Sequence, residues 1–156
     1  MTRKEGKTRR SKDGSFTKKN NKTFFGYKGH TITDDNHPVP LIRSYAVTTA
    51  KDHDTKIDLS KAGITVYRDK GYFRHDPKGI DATMDRSVRN HKLSIESVRR
   101  NRRISRKRSL VECPYAIMKS MFHFSHVMVT LVRRVRVKFM FACFGYNVHA
   151  MKIMMG

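Results

Sequence analysis

Two strongly cationic segments flank a nearly neutral middle, and this division limits where a core can form. Residues 1–30 carry 10 basic and 2 acidic side chains, residues 31–85 carry 8 and 9, and residues 86–156 carry 16 and 2. The middle reads as a balanced globular segment, whereas the excess cations of the flanks need solvent or a polyanion. The net charge of +21 points to DNA, RNA or an anionic surface as partner, and away from an acidic or neutral metabolic enzyme. Nine Phe and six Tyr set the chain apart from disordered basic proteins, which are poor in aromatics. Its 156 residues suffice for one domain with a real core. The longest uncharged apolar run, Phe139 to Met151, is 13 residues and too short to cross a bilayer. Two cysteines make no disulfide framework, so Cys113 and Cys143 read as reduced thiols of a cytoplasmic protein.

Periodicity orders the elements. Residues 1–22 lack it, are rich in Lys, Arg, Ser, Thr, Asn and Gly, and read as a basic loop or arm. Residues 23–33 and 41–49 alternate as strands do, and the intervening Asp-Asp-Asn-His-Pro run makes them an antiparallel hairpin. Residues 52–59 read as a short helix capped by Asp52, and residues 64–68 as a buried central strand. Residues 76–103 read as irregular. A helix is expected over residues 104–122, with Ile104, Val111, Met118 and Phe122 facing the core. Another is expected over residues 139–155. The methionines concentrated there read as core filler.

Two acids stand out. Asp69 follows the central strand directly, where open α/β sheets place their sites. Taken alone, Asp-Lys-Gly reads first as ordinary turn chemistry. Glu112 is one of two acids in the last 71 residues and shares a helical face with Arg108, Tyr115 and Lys119. Its plain reading is an ion pair with a neighbouring Arg. Two carboxylates facing a basic surface suit Mg²⁺ and phosphodiester chemistry. Cys113, His123 and His126 match no common zinc spacing.

Four blocks then occur in order: TKKNNKTFFGYKGH (Thr17–His30), VTTAKDHD (Val47–Asp54), YRDKGY (Tyr67–Tyr72) and RSLVECPYAIMK (Arg108–Lys119). Together they resemble the catalytic domain of DDE transposases of the insertion-sequence-five group, within the insertion-sequence-four superfamily. The resemblance runs from about Thr17 to Lys152. It implies an α/β, RNase H-like mixed sheet with flanking helices over residues 23–156, without its first strand. It implies Asp69 and Glu112 as the second and third catalytic and metal-binding acids, with Mg²⁺, or Mn²⁺ in its place. Arg108 and Lys119 would contact phosphate or orient Glu112. Lys18, Lys19, Lys28, Arg102, Arg103 and Arg106 complete the expected DNA contacts. His53 and Asp54 match a common pair of the family but receive no chemical role.

Two departures accompany the resemblance. No strand precedes Phe25 by the distance that the family's first acid requires, and Asp13 does not sit at a strand end. Pro114 falls inside the expected helix and should kink it. The expectation is a truncated, interrupted or decayed copy, inactive alone. Its partners would be transposon ends, target DNA, an upstream transposase fragment and further copies of itself, in a cytoplasmic, nucleoid-associated setting without membrane. The competing reading is a basic nucleic-acid-binding protein without chemistry, which has no need of Asp69 or Glu112.

Overall fold

The computed structural model describes residues 11–34 and 36–156. In chain order it has strands β1 (Ser15–Lys19), β2 (Lys22–Asp34), β3 (Leu41–Thr49), β4 (Thr65–Arg68) and β5 (Ile80–Thr83). Helices α1 (Ile95–Ser109), α2 (Glu112–Ser120) and α3 (Val132–Met155) follow. The α/β class is as expected. The single mixed sheet is not observed: β1, β2 and β3 form one antiparallel sheet in that order, and β4 pairs only with β5, in parallel, in a second sheet.

The expected hairpin is β2–β3, with Tyr27 opposite Thr49 and Asp34 opposite Leu41. Its pairing slips by one residue between Ile32 and Thr33. The first half of β2 pairs with β1 instead, Phe16 opposite Phe25 and Lys19 opposite Lys22. The stretch read as a loop therefore contains a strand at Ser15–Lys19, while residues 1–10 lie outside the described residues. The turn explains it. Asn20 and Asn21 both have positive φ, 48° and 59°. A two-residue hairpin loop of this kind matches the twist of its strands, and Asn tolerates the left-handed region.

The core lies between the hairpin and α3. Val135, Phe139, Ala142, Cys143, Tyr146 and Ala150 form the buried stripe of α3 at helical spacing. Ile42 of β3 and Met118 of α2 close the cluster. Gly29 of β2 is there for contact: a Cβ at that position would lie 2.6 Å from Phe139 Cζ. Asn147 ties α3 to the sheet by accepting from Ile42 N–H and donating to Ile42 C=O, both at 2.9 Å. That replaces strand pairing at an edge that α3 then covers. The opposite side of α3 stays apolar and exposed at Val137, Phe141, Phe144 and Val148.

The remaining expectations are adjusted by packing. Residues 52–59 hold only a 3-10 turn, Asp54–Lys56, capped by His53, because Asp52 is engaged by the Thr49 hydroxyl at 2.8 Å. Strand β4 is half-exposed rather than central, since it has one neighbour. The irregular region gives β5 and most of α1, which Ser94 caps. Of the expected apolar stripe, Ile104 and Met118 are buried, Val111 is half-buried and Phe122 is exposed.

Asp13 organises the start of α3. Its carboxylate accepts from the Ser11 and Tyr27 hydroxyls, each at 2.7 Å, and from the Val132 N–H. These donors, Ser11 first and then Val132 and Tyr27, lower its pKa from 3.8 to about 2. A carboxylate is also favoured at a helix N-terminus, where N–H groups are unpaired. A depressed folded-state pKa contributes stability above the unfolded value, lost as pH falls through the folded value. Thermal stability is therefore expected to decline between pH 3.8 and about 2. Asp13→Asn should flatten this part of the Tm-against-pH curve, and an unchanged slope would show that Asp13 does not carry it.

Candidate functional site

Asp69 follows β4 directly, and Arg68 fixes that strand end. The Arg68 guanidinium binds Thr83 Oγ1 at 2.9 Å, Asp81 at 3.1 Å and the His75 carbonyl, and lies over the Tyr72 ring. Asp69 then does two things at once. One carboxylate oxygen accepts from Gly71 N–H at 2.8 Å, which is the expected turn chemistry. The other lies 3.5 Å from the Arg108 guanidinium. The side chain remains 46% exposed, so it is open to a ligand.

Arg108 ends α1, and Glu112 begins α2. Between them Leu110 and Val111 keep right-handed helical dihedrals, with a tight bond from Val111 N–H to Arg108 C=O at 3.0 Å. The expected helix over residues 104–122 is thus two helices with a tightened junction. Pro114 causes no interior kink, because it occupies the first turn of α2, where a backbone N–H has no helical partner in any case. Glu112 is exposed in that same turn, one turn of chain beyond the residue that holds Asp69.

Tyr115 docks this helix on the hairpin. Its hydroxyl donates to Gly29 C=O at 3.0 Å and accepts from the Thr31 hydroxyl at 3.2 Å. Burial pushes its pKa up. Tyr72 is pushed up as well, first by burial and then by the charges of Asp54 and Asp69, which places its hydroxyl in the field of both carboxylates. Asp54 is paired with Lys28 at 3.1 Å, and Lys28 also donates to Asp52 C=O at 2.8 Å. His30 meets the Thr48 hydroxyl at 2.9 Å, and burial lowers its pKa. A cleft of about 630 Å³ runs between the two sheets, lined by His30 and Thr31 on one side and by Asp69, Tyr72 and Arg108 on the other.

The expected cations occupy different situations. Arg102, Arg103 and Arg106 are exposed along one side of α1 and line a shallow open groove with Arg99. Lys119 is exposed on α2, and Lys18 and Lys19 on β1. Lys28 is held by Asp54, a partner 26 residues away that no local spacing reveals. The Asp69–Arg108 pair is equally long-range, whereas the helical face pointed to Glu112 as the partner of Arg108. Tyr72 and Asp54 went without a role in the sequence, although each falls inside one of the ordered blocks.

Asp69 and Glu112 offer carboxylate oxygens, the donors a hard divalent cation takes. They suit such an ion in kind but not in number. Among the described residues no group of three or more His, Cys, Asp and Glu is placed to hold a metal ion. No helix among them is long and apolar enough to cross a membrane.

Comparison with known proteins agrees with the ordered blocks. No solved structure gives a significant match. A transposase for insertion sequence element IS1106, from Neisseria meningitidis serogroup B, is 29% identical over 128 residues. The match covers 74% of this chain and 43% of that protein, so the chain spans less than half of its relative. The model of the family described as "Transposase DDE domain" matches residues 2–148, which takes in Asp69, Arg108 and Glu112, and the chain belongs to that family.

Proposed function

We propose that this chain forms part of the catalytic domain of a DDE transposase of the insertion-sequence-five group. Residues 23–156 would belong to an RNase H-like domain that cleaves and joins DNA strands at transposon ends. The observation that carries the reading is the Asp69–Arg108 pair. A carboxylate at a strand end is held by a cation one turn ahead of a second carboxylate, beside a cleft with exposed arginines on the neighbouring helix. A basic protein that only neutralises phosphates gains nothing from this arrangement. In an RNase H-like sheet the hairpin and β4 lie together, and the cleft between them is where an intervening strand would run. The described residues do not supply that strand.

In this reading Asp69 and Glu112 provide oxygen ligands to a divalent cation, Mg²⁺ or Mn²⁺. Two such ions, when bound, would activate the attacking hydroxyl and stabilise the leaving oxygen. Arg108 orients Asp69 while it balances its charge. Gly71 N–H fixes the other carboxylate oxygen, so the side chain is aimed before DNA arrives. Tyr115 holds the start of α2, and with it Glu112, against β2. A third carboxylate would come from another transposase segment or a second copy.

Arg102, Arg103, Arg106 and Lys119 would run along the phosphate backbone, with Lys18 and Lys19 on a separate strand. Phosphate contacts release counterions, so affinity for a duplex carrying the element's ends should fall steeply with salt. The log–log slope is about −0.9 for each phosphate neutralised. Replacing Arg102, Arg103 and Arg106 together by Ala should reduce that slope by roughly 3. Fluorescence anisotropy across a salt series measures it. An unchanged slope would move the DNA path away from α1, and salt-independent binding would remove the reading altogether.

A further inference from the structure

The β1–β2 ribbon carries features that neither the core nor the Asp69 cleft uses. Its two faces differ. On one, Phe16 and Phe25 pair across the strands with ring centroids 4.9 Å apart, and Phe25 lies over Gly14. Those two rings pack on each other and on the ribbon, although Phe16 remains 53% and Phe25 38% exposed. On the other face stand Phe24, its cross-strand partner Thr17, and the Lys19–Lys22 pair next to the turn. Phe24 is 51% exposed, and both lysines are exposed. Residues 15–26 contain no Asp or Glu, and the nearest acid, Asp13, is committed to the start of α3.

We propose that this face binds unpaired nucleotides, with Phe24 as the stacking platform for a base and Lys19 and Lys22 as its phosphate contacts. The inference rests on the chain acting on DNA and adds the form of DNA that the ribbon takes. Cations alone would serve a duplex equally well. An exposed ring on a narrow ribbon reaches a base face in a paired duplex only by unstacking a step, at a cost of about a few kcal/mol, whereas an unpaired base offers its π-face without that cost, whatever its identity. Lys22 and Phe24 are two residues apart on one strand, about 7 Å. A cation at that distance can meet the phosphate of the nucleotide whose base lies on the ring. A protein partner fits less well, because a single ring offers little apolar area and the surrounding charge is of one sign.

The test uses the full chain, a fully paired duplex, and the same duplex with a short central bubble. Wild type should prefer the bubble. Phe24→Ala should weaken bubble binding by roughly fivefold to a hundredfold, the range of a lost base–aromatic stack, and leave duplex binding within about twofold. Phe24→Trp should keep the preference. Replacing Lys19 and Lys22 together by Ala should weaken both probes and lower the salt slope by about 2. Because Phe24 is exposed, these variants should melt with wild type, and circular dichroism checks that. Duplex binding with no bubble preference, or a preference that survives Phe24→Ala, overturns the ribbon assignment and leaves the DNA reading standing. Failure to bind either probe overturns both. A change of association state in Phe24→Ala, with bubble binding unaltered, would show instead that the face docks protein.

Discussion

Phe139→Ala is expected to destabilise the chain by about 3–5 kcal/mol, the usual cost of deleting a large buried aromatic. At roughly 2–4 °C per kcal/mol for a chain of this size, the melting temperature should drop by on the order of 10 °C. The ring is 1% exposed and meets Tyr45 at 5.9 Å and Phe124 at 5.3 Å between centroids. It also lies where a Cβ on Gly29 would have to go. This last contact gives the prediction a second arm. Gly29→Ala should itself destabilise, because its methyl would overlap the ring, and the effect should shrink once residue 139 is Leu. Thermal melts of the two single variants and the double variant measure the coupling. Purely additive effects would mean that α3 does not seat on β2 at this point.

The contact also shows what the sequence could and could not reveal. The β2–β3 hairpin was legible because alternation and a turn-rich run of five residues agree. The last helix was legible from its uncharged apolar run, Phe139 to Met151, but its first turns were not, because residues 132–138 interleave cations with valines. In α1, only Asn101 and Ile104 are buried, and Asn101 is buried because it hydrogen-bonds both backbone groups of Asp85, not because it is apolar. A helix that docks by an amide leaves no apolar stripe to read. Strand β1 was hidden for a different reason, its Asn-Asn turn lacking the glycine that usually marks such loops. Strand β5 is four residues long and two of its side chains are polar.

The site divides along the same line. Asp69 and Glu112 could be singled out by local setting, one after a strand and one on a helix among cations. Their surroundings could not. Arg108 reaches back 39 residues to Asp69, and Lys28 reaches forward 26 to Asp54. Pairing of this kind depends on how β4 and α1 meet, which no spacing rule encodes. Pro114 carried the opposite error. It reads as a helix breaker only if the helix is continuous, and the chain instead restarts the helix at Glu112, where proline is tolerated.

Asp69→Ala is expected to remove strand transfer while leaving DNA binding nearly intact. Groups that act as one catalytic unit typically cost roughly 10⁴–10⁶ in rate when one is removed. Glu112→Ala should be of the same order, and the double variant should be little worse than either, since a unit broken once has little left to lose. Arg108→Ala should fall between, because Arg108 pairs with Asp69 but supplies no oxygen ligand. The assay is strand transfer with Mg²⁺ or Mn²⁺ on DNA carrying the element's ends, with the chain alone and joined to an upstream transposase segment. Anisotropy on the same DNA separates catalysis from binding. Neither carboxylate should be needed to hold phosphates, so removing one negative charge from a basic surface should leave affinity equal or slightly higher. Transfer that survives Asp69→Ala in an active assembly would place the chemistry elsewhere. Loss of binding together with transfer would make Asp69 a folding residue, acting through its Gly71 and Arg108 contacts alone.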